Sequence, residues 1–221
     1  MSSHFDAFYS LEPEKKERII SAVLDEVAEK GFKKASTNAI VKRAEISKGM
    51  LFYYFGNKEE LFDFLFEYII TFVKGEYVEK FSNQIKNRDF IARCQCLAEL
   101  KKYMLCHHPQ IIKFYESLYL PDNEAYFNKY SGMIGEVTQI VRNGLYEDVD
   151  YSLFREGVAP EKTLTYIRWL TERYEQELTE KLMGENRTDD ARFEEAFNDY
   201  YALLADLKKI FYKNNEEEDA K

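Results

Sequence analysis

Apolar positions recur along the chain at the spacing of amphipathic helices. After Pro13, a residue that the first turn of a helix tolerates, they fall at intervals of three and four and form one stripe. The stripe consists of Ile20, Val23, Leu24, Val27 and Ala28. Gly31 follows soon after it and suits the left-handed position at the end of many helices. The pattern therefore predicts a first helix from Pro13 to Lys30.

Two short helices joined by a tight turn are predicted next. The first begins at residues 36–38, each of which is a good cap, and it has one apolar side. Ser47 caps the second, which ends at Phe55. Because Leu51 and Phe55 are four residues apart, both can face the apolar side of the neighbouring helix. That side is formed by Ile40, Val41 and Ala44.

If Leu51 and Phe55 face inward, the other residues of their helix lie on its outer side or on its flanks. These residues are Lys48, Gly49, Met50, Phe52, Tyr53 and Tyr54. So much exposed aromatic surface is unusual for a protein without a partner. It suits contact with thymine methyl groups, sugars and phosphates in a major groove. The alternative is that the three aromatic residues fill the core of a small three-helix unit.

The helical pattern continues to the end of the chain. Further helices are predicted at Leu61 to about Val73, 76–86, 90–107, 110–119, 124–145, 160–183 and 189–213. Nine glycines and four prolines are too few turn residues for an all-β chain, and no run has the alternation of a strand. Residues 214–221 form an acidic tail. The predicted fold class is all-α.

Composition places the protein inside the cell. The chain of 221 residues is 45% hydrophobic and 32% charged, which is ordinary for a soluble protein. It has no secretory signal and no apolar run of ~18 residues, so we expect no membrane span. Three cysteines, an odd number, fit reduced thiols better than a disulfide framework. We therefore expect a cytoplasmic protein.

The net charge of −9 hides a basic segment. Residues 30–58 contain seven basic side chains and one acidic side chain, Glu45. A phosphate backbone responds to charge within roughly 8 Å at physiological salt, so this local excess matters more than the total. The segment coincides with the two short helices, which favours nucleic-acid binding over a merely solvated basic face.

The same segment resembles a known family. Residues 35–61, ASTNAIVKRAEISKGMLFYYFGNKEEL, together with the preceding Gly31-Phe32, resemble the N-terminal signature of the TetR (tetracycline-repressor-like) family. The resemblance implies an N-terminal three-helix, helix-turn-helix DNA-binding domain at residues 1–58. A larger helical domain for effector binding and dimerisation would cover residues 59–213, ahead of the acidic tail 214–221. It also implies a ligand-responsive regulator, with repression favoured over activation.

The resemblance assigns roles to particular residues. The groove-facing set would be Lys48, Gly49, Met50, Tyr53 and Tyr54. Thr37 and Asn38 would contact phosphate or a base edge, and Lys58 would add charge at a phosphate-facing helix N-terminus. Glu45 departs from the family pattern, which usually has glycine in this turn. A left-handed conformation at a non-glycine residue costs roughly 1–2 kcal/mol, so we expect a slightly altered turn.

The sequence also offers candidates for an effector site in the helical domain. Tyr166, Trp169 and Arg173 share one face of the 160–183 helix, and Phe114 and Tyr103 are candidates for the opposite walls of a ligand cavity. Ordinary core or dimer packing is the alternative for each of them. Such a cavity would suit an unidentified hydrophobic or flat small molecule. The partners implied are therefore this effector, a palindromic double-stranded operator and a second copy of the chain.

The helices at 160–183 and 189–213 are the predicted dimer elements. The later one has an apolar stripe of Phe193, Ala196, Phe197, Tyr200, Leu204, Leu207 and Phe211. Two such helices from each subunit would form a four-helix interface across a two-fold axis. Packing within one subunit could use the same stripe, but we favour dimerisation. As the resemblance implies, ligand binding would shift the fourth helix and separate the two recognition helices.

Two other classes of function have less support. No nucleophile motif or phosphate-binding glycine loop supports an enzyme, and we expect no metal or other cofactor. Cys94, Cys96, Cys106, His107 and His108 cannot share one zinc ion on a continuous helix, since ten residues span ~15 Å. The second alternative is a helical interaction module that has the motif but does not bind DNA.

Overall fold

The computed structural model describes residues 5–86, 88–119, 121–183 and 190–213, and these residues are helical almost throughout. The α-helices are α1 (Asp6–Tyr9), α2 (Pro13–Lys34), α3 (Thr37–Ala44), α4 (Lys48–Phe55), α5 (Lys58–Val73), α6 (Glu79–Gln84), α7 (Phe90–His107), α8 (Pro109–Ser117), α9 (Glu124–Tyr146), α10 (Pro160–Met183) and α11 (Asp190–Phe211). Within the described ranges, extended residues pair in an isolated bridge between Phe154 and Tyr212. The all-α prediction is confirmed.

Two features of the helical order differ from the prediction. Helix α1 precedes the first predicted helix. The predicted break between residues 73 and 76 is instead a π turn, Lys74–Val78, which joins α5 directly to α6. The predicted break at residues 184–186 and the tail 214–221 lie outside the described residues. Within the described ranges, none of the helices has the length and apolar character needed to cross a bilayer.

The first of two compact units consists of Met1–Lys80 and Tyr103–Val141. Its core is built mainly from α2, α4, α5, α8 and α9. Buried members of this core include Val23, Val27, Phe32, Leu51, Phe55, Phe62, Phe66, Phe114 and Tyr130. Side chains from both sides of the predicted boundary at residue 58 share this core. This boundary divides the segment expected to bind DNA from the part expected to bind an effector and dimerise, and it stays a prediction.

A kink near the end of α2 contacts the connection between α8 and α9. Gly31 has φ 71° and ψ 165°, a conformation that is essentially restricted to glycine. A Cβ at this position would lie 3.0 Å from Nδ2 of Asn123. Asn123 is buried, and its Nδ2 donates a hydrogen bond to the carbonyl of Ser117. The next residue, Phe32, stacks on Tyr126 with ring centroids 4.8 Å apart. The contact of Gly31 with Asn123 and the stacking of Phe32 on Tyr126 pack the beginning of α9 against the end of α2.

The second compact unit consists of Phe81–Lys102 and Arg142–Lys221. Buried Arg93 in α7 caps the C-terminal end of α9, since its guanidinium donates to the carbonyls of Gly144, Leu145 and Glu147. A second anchor lies on α11, where the Tyr200 hydroxyl donates to Glu175 of α10 at 2.8 Å. These bonds fix the helices of this unit to one another.

The apolar stripe on α11 packs inside its own subunit. Its buried members are Ala196, Phe197, Tyr200, Leu204 and Leu207, and Phe211 is half-buried. The side chain of Phe193 lies outside the described residues. The prediction that this stripe forms the dimer contact is therefore wrong, because the core of the second unit already covers it. Dimerisation through the helices at 160–183 and 189–213 stays a prediction.

Candidate nucleic-acid interface

The N-terminus of α3 is held by two side chains. Ser36 Oγ accepts a hydrogen bond from the backbone N–H of Ala39, as a capping residue does. The backbone N–H of Ser36 itself donates to Oε1 of Glu26 at 3.0 Å. Glu26 is a buried carboxylate of α2 that the sequence pattern did not indicate. At the start of α3, Asn38 is exposed and Thr37 is half-buried, so both can be reached from outside.

The turn between α3 and α4 contains a residue in the left-handed conformation. Glu45 has φ 53° and ψ 42°, and the backbone N–H of Ile46 donates to the carbonyl of Val41 at 3.1 Å. Arg18 of α2 donates to the carbonyl of Ala44 at 3.0 Å and so satisfies the end of α3. Glutamate therefore accepts the glycine-like conformation without opening the turn.

Helix α4 has one buried and one open side. Ser47 Oγ accepts from the backbone N–H of Met50 at 3.2 Å, which confirms the predicted cap. Leu51 and Phe55 are completely buried, as their spacing predicts. The opposite side carries four exposed residues, Lys48, Gly49, Met50 and Tyr53. Tyr53 is 71% exposed, so its ring can contact a partner.

Tyr54 does not belong to the exposed set. It is only 3% exposed, and its ring makes an edge contact with Phe8 at 6.5 Å between centroids. The prediction that Tyr54 faces a groove is wrong, because α1 covers this flank of α4. Phe52, on another flank, is half-buried. Both possibilities raised for the aromatic cluster therefore apply, to different residues: Tyr53 is open and Tyr54 is core.

Helix α1 supports α4 from behind. Phe8 is completely buried, with centroids 5.2 Å from Phe55 and 4.9 Å from Phe64. Phe5 lies 4.8 Å from Phe64 and extends the same cluster. Phe5, Phe8 and Leu11 are spaced by three, which was the available sequence signal for this element. The aromatic cluster fixes the depth at which α4 sits on the rest of the unit.

Lys58 lies at the start of α5, as predicted, but its ammonium has a partner within the chain. The helix is capped by Asn57, whose Oδ1 accepts from the backbone N–H of Glu59 and of Glu60. Nζ of Lys58 donates to the carbonyl of Lys33 at 3.2 Å. Burial lowers the pKa of this half-buried amine. Lys58 therefore joins the start of α5 to the end of α2, besides any role towards phosphate.

The basic side chains of this region differ in their electrostatic surroundings. Arg43 pairs with Glu29 at 2.7 Å, and Lys34 pairs with Asp122 at 3.3 Å. Lys48 has no acidic partner in the part of the chain that the structure describes, and its Nζ extends to 5.9 Å from the Phe52 ring. The uncompensated charge of Lys48 lies at the first turn of α4, five residues before Tyr53.

The five predicted ligand residues have varied surroundings. In the first unit, Phe114 is buried between Phe32 and Phe66, and Tyr103 is 49% exposed. In the second unit, Tyr166 and Trp169 are both exposed on α10, with centroids 6.0 Å apart. Arg173, one turn further along α10, donates to Glu177 at 2.9 Å. Ligand binding by these residues stays a prediction.

The second unit has a cavity of about 560 Å³ that the sequence did not predict. Its lining is mainly polar and none of the five predicted ligand residues belongs to it. The lining residues are Ser82, Ile85, Lys86, Arg88, Asp89, Arg93, Gly144, Glu147, Asp148, Asp150 and Leu153. The guanidinium of Arg93 is already bound to carbonyls, so it holds the cavity wall together rather than facing a free ligand.

Comparison with known sequences identifies the segment that carries this site. Residues 19–65 match the sequence model described as bacterial regulatory proteins, tetR family. The HTH-type transcriptional regulator BetI of Yersinia pestis (strain Pestoides F) is 32% identical to this chain over 89 residues. The match covers 40% of this chain and 44% of that protein, so this chain spans less than half the length of that relative.

Solved structures resemble nearly the whole chain. A TetR family transcriptional regulator from Chloroflexus aurantiacus J-10-FL matches over 95% of this chain and 98% of its own, with a TM-score of 0.54 and 20% identity. A transcriptional regulator (TerR/AcrR family) from Aquifex aeolicus VF5 matches over 86% and 98%, with a TM-score of 0.58 and 17% identity. At these identities the likeness establishes a shared fold, a helix-turn-helix unit followed by a larger helical part.

Proposed function

We propose that the chain belongs to the TetR family of bacterial regulatory proteins and that it is a DNA-binding transcriptional regulator and not an enzyme; the match of residues 19–65 to the model of that family and the 32% identity to BetI over 89 residues support this. Residues 1–58 bind an operator, and residues 59–213 bind an effector and form the dimer. Repression that a small molecule relieves is the favoured mode. In thermodynamic terms, operator and effector stabilise different conformations, with a coupling of typically ~1–3 kcal/mol.

The exposed side of α4 carries this proposal. Lys48, Gly49, Met50 and Tyr53 form one open surface whose reverse side is buried. A Cβ at Gly49 would contact only Ser47 Oγ, at 3.8 Å, so the outer side at this position is free of protein. The absence of a side chain lets the backbone approach a phosphate or a base edge. Tyr53 then supplies an apolar contact and Lys48 a charged one.

Helix α10 supplies the dimer contact in this proposal. Its buried side in the single chain consists of Thr163, Ile167 and Thr171, which are small or medium-sized. Its outer side carries the larger apolar residues Trp169 and Leu170, 57% and 47% exposed. An exposed group of large apolar side chains, here Tyr166, Trp169 and Leu170, indicates a surface that a partner covers. We assign this partner to a second copy of the chain, because a two-fold dimer matches a palindromic operator.

Binding of the protein to the DNA upstream of its own gene tests the proposed function. Fluorescence anisotropy should detect binding that weakens steeply between 50 and 200 mM salt, since cationic side chains release counterions from phosphate (over this range, 6–10 contacts lower the affinity by about 10³ to 10⁵). A footprint should cover a near-palindrome with half-sites about one helical turn, or a small multiple of it, apart. A scrambled DNA of equal length and composition is the control.

The second candidate function predicts a different result. Acidic Glu45 in the turn, 3.9 Å from Arg18, places a carboxylate beside the DNA-facing side and favours a protein partner over phosphate. If the protein is an interaction module without DNA binding, heparin will not retain it, and its affinity for the upstream and scrambled DNA will be equally low. That result would overturn the proposed regulator.

A further inference from the structure

Helix α2 contacts both ends of α3 through side chains of opposite charge. In the last turn of α3, the carbonyl of Ala44 accepts a hydrogen bond from Nε of Arg18 at 3.0 Å. At the other end, the backbone N–H of Ser36, the capping residue, donates to Oε1 of Glu26 at 3.0 Å. On each of the two helices the contact positions are eight residues apart, a rise of ~12 Å. The helices run in opposite directions, and α2 holds α3 at both ends.

The signs of these two charges suit the helix that they hold. An α-helix has partial positive charge at its N-terminus and partial negative charge at its C-terminus, because the N–H and C=O groups there lack partners within the helix. Glu26 places a carboxylate at the positive end of α3, and Arg18 places a guanidinium at the negative end. Hydrogen bonding and charge therefore favour the same position of α3 along α2.

Burial fixes the carboxylate of Glu26 in place. The residue is 3% exposed, and a buried carboxylate needs bonded or charged partners because water does not reach it. Besides the amide of Ser36, its partner is Arg43 of α3, whose Nη2 lies 3.7 Å from Oε2 of Glu26. The charge of Glu26 also acts on Lys58 at the start of α5, where it opposes the burial that lowers the pKa of that amine. The carboxylate is thus held from α3 and from α5.

The residues next to the Glu26 contact are those expected to meet DNA from α3. Thr37 and Asn38 follow Ser36 directly, and both can be reached from outside. Ser36 is bonded twice, since its N–H donates to Glu26 and its Oγ accepts from the backbone N–H of Ala39 at 3.4 Å. Because neighbouring Cα atoms are only about 3.8 Å apart, a displacement of Ser36 also displaces the two residues that follow it. The bond to Glu26 therefore sets where the first turn of α3 lies.

We propose that Glu26 and Arg18 are positioning residues for DNA recognition. They fix α3 on α2 and so bring its first turn to the operator in register with α4. The inference rests on the proposed function, because this register matters only if the segment binds DNA. Base contacts carry the sequence information, whereas phosphate contacts form on any sequence. Loss of the register therefore lowers the affinity for the operator more than the affinity for unrelated DNA.

Fluorescence anisotropy of the full-length protein on the upstream and the scrambled DNA tests the inference. Glu26→Met has an unbranched side chain without a carboxylate, so the ratio of upstream to scrambled affinity should fall about tenfold. Arg18→Met retains the apolar stem but not the donor to Ala44. Its ratio should fall about threefold, since this end of the contact is more open to water. Glu26→Gln retains an oxygen that can accept from Ser36 and should keep the ratio within about twofold of the wild type.

The matched control is Glu29→Met, the same substitution three residues further along α2. Glu29 is half exposed, and its carboxylate pairs with the side chain of Arg43. An exposed ion pair contributes little to stability, so this variant should have the affinity ratio of the wild type. Circular dichroism and urea unfolding, recorded for every variant, give the fraction of folded protein. A loss of folded protein lowers both affinities alike and leaves their ratio unchanged, which separates destabilisation from a shift of α3.

The outcomes distinguish the positioning role from the proposed function. An unchanged ratio in both Glu26→Met and Arg18→Met overturns the inference, and so does an equal fall in Glu29→Met. If Glu26→Met does not fold, Arg18→Met decides alone. When the wild type prefers the upstream DNA and the variants prefer it equally, only the positioning role is wrong. When the wild type itself binds both DNAs with equal affinity, the proposed function fails and the inference fails with it.

Discussion

Helices α4 and α10 each expose a large aromatic side chain, but the neighbours of the two differ. Tyr53 on α4 is accompanied by Lys48 and Gly49, and the reverse side of the helix is strongly apolar. Trp169 on α10 is accompanied by the exposed Tyr166 and Leu170, and Arg173, the cation one turn further along, is paired with Glu177 at 2.9 Å. The reverse side of this helix is only weakly apolar. An exposed aromatic ring thus does not identify its partner. A cation and a bare backbone beside it favour nucleic acid, whereas apolar neighbours favour protein.

The largest expected effect is the loss of folding stability in Phe8→Ala, which tests whether one side of α4 belongs to the core. Truncation of a fully buried phenylalanine typically costs about 3–5 kcal/mol, and Phe8 supports Phe55 from behind. Urea unfolding monitored by circular dichroism measures the loss. Tyr53→Ala, on the exposed side of α4, is the matched control and should change stability by less than about 0.5 kcal/mol. Equal losses in both variants would contradict the proposed division of α4 into a core side and a contact side.

On α10, Trp169→Glu should dissociate the dimer. A tryptophan at the centre of an interface commonly contributes about 2 kcal/mol or more, so the dimer dissociation constant should rise at least ~30-fold. Sedimentation velocity measures the change, and operator affinity should fall with it. Lys162→Glu introduces the same charge on an exposed position of α10 and should leave the dimer intact. A Trp169→Glu variant that sediments as the wild type would place the dimer contact elsewhere.

On α4, Tyr53→Ala removes the exposed ring and should weaken operator binding about tenfold. The reason is the loss of the apolar contact that this ring makes in the groove. Dimer mass and helix content should not change, since the ring contributes little to the core. Anisotropy on the upstream DNA measures the effect, with Tyr151→Ala as the control for loss of an exposed tyrosine. Equal affinities for wild type and Tyr53→Ala would remove α4 from the DNA interface.

The smallest effect is expected from Lys48→Ala. Loss of one phosphate contact should lower the slope of log affinity against log salt by about 1 and weaken binding equally on related sequences. Repetition of the anisotropy titrations at several salt concentrations gives this slope. Lys162→Ala should leave it unchanged. If the Lys48→Ala slope also equals that of the wild type, the uncompensated charge at the first turn of α4 does not meet phosphate.

Local sequence signals predicted the helices of the segment proposed to bind DNA, because the geometry of this segment depends on neighbours in the chain. Ser36 and Ser47 cap the helices that follow them, and Leu51 and Phe55 share a face at a spacing of four. The left-handed conformation of Glu45 follows from the position of the turn. Each of these features is decided within about one helical turn, which is the range that a periodicity argument covers.

Features that depend on distant residues could not be predicted in this way. The inward orientation of Leu51 and Phe55 predicts Tyr54 on an outer side or flank, but Phe8, far along the chain, packs against its ring and covers it. The stripe on α11 has the period of an interface, but a stripe does not specify whether its own subunit or another covers it. Long-range packing, rather than local propensity, decides each of these cases.

The contact between Gly31 and Asn123 limits how this protein can be rebuilt. A chimera that joined residues 5–58 to the helical half of another protein would transfer Gly31 but leave behind the amide that packs against it at the α8–α9 connection. The stacked pair Phe32 and Tyr126 would be separated by the same cut. The transplantable piece is therefore discontinuous in sequence and must include the start of α9. Retargeting this protein to a new promoter is better attempted by changing side chains on α4 than by exchanging whole segments.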